Sequence, residues 1–116
     1  MPEDTRIDYI EFPGRELEGV KDFYRAAFGW KFTDYGPDYT SFEDGRLSGG
    51  FAKDAAIPSA LVVIYAADLE RALQRVRAAG ATITREIFSF PGGRRFHFRD
   101  PAGNELAVWS EAEPHP

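Results

Sequence analysis

The chain has 116 residues and a mass of 13.0 kDa, which fits one compact domain, and its 43% hydrophobic and 15% aromatic residues exclude wholesale disorder. Its 14 Lys and Arg are scattered and are outnumbered by 19 Asp and Glu, so the net charge of −5 argues against a nucleic-acid binder held by phosphate contacts. The absence of cysteine excludes disulfides, thiolate metal sites and a thiol nucleophile.

The first half of the chain is predicted to form a βαβββ module over about residues 7–52. Alternating residues predict a strand over 7–12, which Pro13-Gly14 ends. Apolar residues at helical spacing predict a helix over 16–28, followed by Gly29 at the position where a left-handed helix end prefers glycine. Three short β-prone runs follow, and Asp44-Gly45 predicts a hairpin turn between the last two; the runs cover 30–35, 39–43 and 47–52.

The second half repeats this order over about residues 59–111. A strand is predicted over 60–65, and the following helix has Asp68 as its N-cap and ends at Gly80. Sliding the chain over itself superposes Leu17 on Leu69 and Arg25 on Arg77, which favours an internal duplication within a single domain of residues 1–116. The last strands are predicted over 82–88, 94–99 and 105–110, and residues 112–116 are expected to form a mobile tail.

Four segments in this order resemble one known family: residues 7–12 (IDYIEF), Asp22-Phe23-Tyr24, Phe28-Gly29-Trp30 and residues 100–104 (DPAGN). From Ile7 to Glu111 the chain is similar to the vicinal oxygen chelate superfamily, which includes glyoxalase I, bleomycin-resistance proteins and extradiol dioxygenases. The resemblance implies an α+β fold in which two tandem βαβββ modules form a curled, cup-shaped mixed β-sheet with flanking helices. It also implies a homodimer.

In enzymatic members, the resemblance implies a divalent metal held by one ligand from the first strand and one from the last strand of each module. The corresponding positions here are Tyr9, Leu61, Ala107 and Gly49. Leucine, alanine and glycine side chains donate nothing to a metal, and a single phenol cannot hold one. No cofactor is therefore predicted, and a divalent metal is not expected.

Strand alternation predicts which side chains line the cup. In the last hairpin, Phe96, Phe98, Leu106 and Val108 form an apolar face that should be core. The predicted ligand-binding residues lie on the opposite faces of their strands: Tyr9, Glu11, Leu61, Val63, Tyr65, Arg95, His97 and Trp109. Such a mixed aromatic and polar surface suits a small, partly apolar ligand.

No catalytic residue is assigned, although two side chains are candidates for proton transfer. His97 is the first candidate, because the unperturbed pKa of an imidazole lies near neutral pH, with a structural hydrogen bond as the alternative. Glu11 is the second, with a plain ion pair to a neighbouring arginine as the alternative.

Three functions are compatible with this pattern. The first is a small-molecule binding or sequestering protein without the usual metal ligands, for an aromatic or cationic compound, because the net charge favours a cation. The second is a glyoxalase-like lyase, isomerase or related enzyme acting on a small carbonyl or hydroxyl compound, with Glu11 or His97 transferring a proton and Arg95 stabilising an oxyanion. The third is a homodimeric interaction domain without catalysis. A cytoplasmic protein without nucleic-acid or membrane partners is expected.

Overall fold

The computed structural model describes residues 2–53 and 59–111, and within them two helices and eight strands follow one another in the order βαβββ, βαβββ. The predicted α+β class and its two tandem βαβββ modules are confirmed, whereas the predicted mobile tail at 112–116 lies outside the described residues. The elements are β1 (Arg6–Pro13), α1 (Leu17–Phe28), β2 (Lys31–Asp34), β3 (Tyr39–Glu43), β4 (Ser48–Ala52), β5 (Leu61–Tyr65), α2 (Leu69–Ala78), β6 (Thr82–Phe90), β7 (Gly93–Arg99) and β8 (Glu105–Glu111).

By its internal contacts the chain divides into a first unit, Tyr9–Leu61, and a second unit that contains the described residues before Tyr9 and after Leu61. In the first unit the strand order is β2-β3-β4-β1. Strands β1 and β4 pair in parallel, and the other pairs are antiparallel. One face of these strands carries Phe12, Phe42 and Phe51, whose rings contact each other and the rings of Tyr24 and Trp30.

Helix α1 ends where the sequence predicts it. Gly29 adopts a left-handed conformation, with φ of +73°, and its backbone N–H donates to the carbonyl of Arg25 at 3.0 Å. The helix also contains an almost fully buried lysine, Lys21. Its ammonium lies 2.7 Å from a carboxylate oxygen of Glu18 and 2.9 Å from one of Asp34. This pair of carboxylates offsets the cost of burying the charge.

In the second unit the strand order is β5-β8-β7-β6, with β5 and β8 parallel and the other pairs antiparallel. Its core consists of Ala66, Leu69, Phe96, Phe98 and Val108, as the alternation in the last hairpin predicts. Helix α2 packs against this core and is capped by Asp68, whose side chain accepts from the backbone N–H of Arg71 at 3.1 Å. Neither of the helices in the described ranges is long and apolar enough to cross a membrane.

Strand β6 continues to Phe90, two residues beyond the predicted end at Phe88. It does so because a tight turn at Pro91-Gly92, with Gly92 at φ +103°, returns the chain at once to pair Phe90 with Gly93. The register of β6 against β7 shifts between Ile83 and Arg85 and again between Arg85 and Phe88. These irregularities decide which β6 side chains lie on the sheet face opposite the core.

Candidate functional site

A row of aromatic rings crosses the sheet of the second unit on the side opposite its core. We call this the aromatic face and define it by Tyr65 on β5, Trp109 on β8, and Phe88 and Phe90 on β6. The ring centroids of Tyr65 and Trp109 are 5.3 Å apart, and those of Trp109 and Phe90 are 6.3 Å apart. The register joins Tyr65 to Trp109 and Phe88 to Arg95, so these side chains share one face of four strands.

Two of the rings donate hydrogen bonds to carboxylates. The Tyr65 hydroxyl donates to the two carboxylate oxygens of Glu111 at 2.6 and 2.5 Å, and the Trp109 indole N–H donates to Asp8 at 2.9 Å. The hydrogen bond to Glu111 raises the pKa of Tyr65 to about 12, with burial adding to the effect. Tyr65 therefore remains a neutral donor at physiological pH, and these two carboxylates fix the orientation of the two rings.

Two arginines of the same face lie over aromatic rings. The guanidinium carbon of Arg85 is 3.6 Å from the ring centroid of Phe88. That of Arg95 is 5.4 Å from the centroids of both Phe88 and Phe90. Cation–π attraction holds planar guanidinium groups in such positions, so the face combines apolar rings with positive charge.

The imidazole of His97 is buried at the end of this face and is oriented by a carboxylate. Only 5% of the residue is exposed, and its Nδ1 lies 3.1 Å from a carboxylate oxygen of Glu105. An ionised carboxylate only accepts hydrogen bonds, so Nδ1 carries the proton and Nε2 carries the lone pair. Within residues 2–53 and 59–111, Nε2 is buried and has no hydrogen-bond partner.

Burial lowers the pKa of His97 below its usual value; the Glu105 carboxylate opposes this shift, and the charges of Arg95 and Arg85 add to it. His97 is therefore a neutral imidazole at neutral pH. A neutral imidazole with one nitrogen held by a carboxylate presents its other nitrogen as a hydrogen-bond acceptor, and as a base for a sufficiently acidic hydroxyl.

The lowered pKa of His97 predicts that the folded protein loses stability on mild acidification. The folded pKa lies below the unfolded value of about 6.5, so between the two the unfolded chain binds more protons and stability rises with pH. The contribution of His97 to the free energy of unfolding is complete above about pH 6.5 and is lost as the pH falls toward the folded pKa. We expect the melting temperature to fall between about pH 7.5 and about pH 5.5.

The His97→Gln variant, which cannot titrate, is the control for this effect and should show a flatter dependence of melting temperature on pH. Carboxylates whose pKa is lowered by hydrogen bonds, such as Asp34 and Glu70, titrate below this window and leave the comparison intact. Equal pH dependence in the two proteins would contradict the assignment.

In the first unit, the predicted site residues lie on the face opposite the phenylalanine cluster. The hydroxyls of Tyr9 and Tyr39 are in hydrogen-bond contact, and both are half-buried. Glu11 lies on the same face of β1 and is directly opposite Gly50 of β4. A Cβ at Gly50 would meet the ring end of Tyr39 and would lie 2.7 Å from the Tyr9 hydroxyl.

This register corrects one sequence alignment. In the second unit, Val63 lies two residues after the metal position Leu61 and pairs with Ala107 in the parallel ladder. In the first unit, Glu11 lies two residues after Tyr9 and pairs with Gly50. The last-strand position of the first module is therefore Gly50, whereas Gly49 points toward the ring of Phe42 on the other face. The alignment was off by one residue, which in a strand exchanges the two faces.

The remaining predicted residues lie on β5, β7 and β8. Leu61 and Val63 are buried, on the side of β5 opposite Ile64, which packs against the core. Four predicted residues come together in the second unit, namely Tyr65 and Trp109 in ring contact, and Arg95 and His97 two positions apart on β7. Tyr9 and Glu11 share one face in the first unit.

Sequence reasoning missed the contribution of β6. Arg85 and Phe88 share a face although they are three residues apart, because the register shift inserts an extra residue between them. Strict alternation separates these two side chains, so the sequence offered no signal for this pair. Phe90 was missed because the predicted strand ended at Phe88. The hydrogen bond between Glu105 and His97 was not foreseen either.

A surface hollow of about 420 Å³ lies elsewhere, at the end of α1 and the turn between β3 and β4. It is lined by Gly29, Lys31 and residues 43–48, and none of the predicted site residues borders it. Its lining combines the half-buried Leu47 and Ser48 with exposed glycine and charged residues, and it contains no aromatic ring and no fully buried polar side chain.

Sequence comparison identifies the class of protein. The family model of the Glyoxalase/Bleomycin resistance protein/Dioxygenase superfamily matches residues 6–108, so the chain belongs to this superfamily, and the resemblance deduced from the motifs is confirmed. No curated protein matches the sequence.

Solved structures with the same fold have diverse chemistries. A superfamily member from Vibrio splendidus 12B01 is 15% identical with a TM-score of 0.69, over 92% of this chain and 99% of that one. Methylmalonyl-CoA epimerase from Mycobacterium tuberculosis is 12% identical with a TM-score of 0.70, over 100% and 94% of the two chains. The Mn(II)-bound glyoxalase from Novosphingobium aromaticivorans is 17% identical with a TM-score of 0.67; all of this chain matches 43% of that one. At these identities the similarity shows the fold alone.

The residues at the superfamily's metal positions do not fit a divalent ion. With the register corrected, they are Tyr9, Gly50, Leu61 and Ala107, and only the phenol of Tyr9 has a donor atom. That phenol already contacts the hydroxyl of Tyr39. Among the residues that the structure describes, no group of three or more His, Asp or Glu side chains is placed to hold a metal. Divalent ions need about three or four such donors, so no step is derived through a metal.

Proposed function

We propose that this superfamily member binds a small aromatic compound on the aromatic face of the second unit, without a metal. One observation carries the proposal: Trp109 lies between the rings of Tyr65 and Phe90, and hydrogen bonds to Glu111 and Asp8 fix two of the three rings. Fixed rings lose little conformational entropy on binding, and aromatic contacts stabilise a complex beyond the area they bury.

The charges on this face favour an aromatic compound over a cationic one. Arg85 and Arg95 both lie over Phe88, where a cationic ligand would meet like charge. The carboxylates of Glu105 and Glu111 already accept hydrogen bonds from His97 and Tyr65. The net charge of −5 describes the whole chain, whereas a ligand that contacts Phe88 meets two guanidinium groups.

The test uses 4-fluoroanisole, 4-fluorophenol and 4-fluorobenzoate as probes of chelator-treated protein, with binding followed by ¹⁹F NMR. At least one probe is expected to saturate with a dissociation constant of about 1 mM or lower. Replacing Trp109 by Leu should weaken binding about tenfold, the equivalent of about 1.4 kcal/mol of ring contact. No saturable binding of any probe would contradict the proposal.

The matched control is Trp30→Phe, because Trp30 belongs to the first unit, where it stacks on Tyr24 and Phe42. It should bind the probes as the unmodified protein does. An equal loss in both tryptophan variants would point to general destabilisation and count against the aromatic face.

A glyoxalase-like lyase, isomerase or related enzyme acting on a small carbonyl or hydroxyl compound is the second candidate. The observation that favours it is the contact between His97 and Glu105, with Arg95 nearby on β7 as a partner for a developing oxyanion. Turnover that disappears in His97→Gln while binding persists would support this candidate. The homodimer, the cytoplasmic location and the non-catalytic interaction domain stay predictions.

A further inference from the structure

The most informative atom of the aromatic face is Nε2 of His97. It is a lone-pair acceptor, because Glu105 holds the proton on Nδ1, and within the described part of the chain it is buried without a partner. A buried polar atom without a hydrogen bond is unfavourable, because burial has removed it from water and nothing replaces the lost contact. A ligand that donates to Nε2 recovers this energy, whereas a ligand without a donor does not.

The groups around the imidazole favour a particular kind of donor. Its charged neighbours are Glu105 on β8, Arg95 on β7 and Arg85 on β6. Both arginines favour a hydroxyl whose oxygen becomes negative as its proton moves toward Nε2. Phe88, whose ring centroid is 5.7 Å from the imidazole, and the other rings favour an aromatic group on that hydroxyl.

The local structure of β6 allows a ligand to reach this atom. Phe88 is only half-buried, and it lies just after a register shift at which regular pairing with β7 is interrupted. Strand irregularities of this kind occur next to binding sites, where a side chain can move without breaking a continuous ladder. A ligand that reaches Nε2 requires room beside His97 on this face, where Phe88 and the exposed Arg85 are its neighbours on β6.

We infer that the ligand is a phenol, whose hydroxyl donates a hydrogen bond to Nε2 of His97 while its ring contacts the aromatic face; this inference rests on the proposed function. If the proton transfers, the O–H bond breaks and an N–H bond forms at Nε2. The imidazolium is then held by Glu105, and the phenolate oxygen is stabilised by Arg95. A carboxylate ligand brings no donor and places its charge against the Nε2 lone pair, and an aryl ether also has no donor.

The three para-fluoro probes separate this inference from the function on which it rests. At about pH 7.5, where His97 is neutral, 4-fluorophenol is expected to bind about tenfold more tightly than 4-fluoroanisole, and 4-fluorobenzoate no more tightly than the ether. If no probe binds, the proposed function fails. If all three bind equally, binding stands and the phenol inference is overturned. If 4-fluorobenzoate binds best, the phenol inference is overturned in favour of an anion site.

Two variants and a pH series complete the test. His97→Phe keeps a ring but removes the acceptor, so it should bind 4-fluorophenol and 4-fluoroanisole equally, whereas His97→Gln retains an acceptor and should recover part of the preference. Below the lowered pKa of His97, the protonated Nε2 becomes a donor, so the preference for the phenol should decline and binding of 4-fluorobenzoate should rise. An unchanged preference in His97→Phe, or a preference that persists below the pH at which an NMR titration shows His97 to be protonated, would overturn the inference.

Discussion

The Phe96→Ala variant is expected to lose about 4 kcal/mol of unfolding free energy, the largest effect predicted for a single substitution in this chain. Phe96 is 0% exposed and lies in the core of the second unit with Leu69, Phe98 and Val108. Truncation removes the transfer free energy of a whole ring and leaves a cavity that the strands and helix α2 cannot fill. Equilibrium urea denaturation, read as a change in midpoint at constant slope, measures the loss.

The control for Phe96 is a phenylalanine outside the core. Phe23 on α1 is 58% exposed, and Phe23→Ala should change stability by about 0.5 kcal/mol or less. A loss below about 1.5 kcal/mol in Phe96→Ala would mean that the core collapses around the missing ring, contrary to the packing described. Because Phe96 directly precedes His97 on β7, a loosened core should also make the orientation of the imidazole less well defined.

Gly49→Ala has the second largest expected effect, a loss of about 3 kcal/mol. A Cβ at Gly49 would collide with the backbone carbonyl oxygen of Ile10 on the adjacent parallel strand and with the ring of Phe42. The carbonyl cannot retreat without disrupting the ladder between β1 and β4, and Phe42 is held in the phenylalanine cluster. Thermal and urea unfolding should both show the loss.

The neighbouring glycine provides a matched comparison. At Gly50 the added methyl group would meet the outer ends of two tyrosine side chains, Tyr39 and Tyr9, rather than backbone. Because a side chain can swing away, Gly50→Ala should lose only about 1 kcal/mol, and the loss should shrink further when Tyr39 is replaced by Ser. Equal losses at Gly49 and Gly50 would contradict the assignment of the two glycines to opposite faces.

The two glycines also bear on the superfamily's metal position. The corrected register assigns that position to Gly50, which faces Tyr9 and Tyr39. Gly49 faces the core, where no ligand could be held. The sequence alone left the two adjacent glycines indistinguishable, since both lack a side chain whose polarity would show which face it occupies.

Much of the second-unit site could be predicted from local periodicity. Alternation along β7 and β8 put Arg95, His97 and Trp109 on one face and Phe96 and Phe98 in the core, and the structure agrees. This succeeded because each strand is regular in that region, so the direction of every side chain can be read from its neighbours. The β6 residues were not predicted, because a bulge between Arg85 and Phe88 breaks the alternation.

The sequence by itself determined the element order, the ends of both helices and the superfamily, since these depend on local signals such as Gly29, the Asp68 cap and the motif around Asp100. Only the tertiary structure decided how the candidate site is arranged. The contact of His97 with Glu105, the rings flanking Trp109 and the burial that lowers the pKa of His97 arise between strands whose pairing register no local pattern encodes.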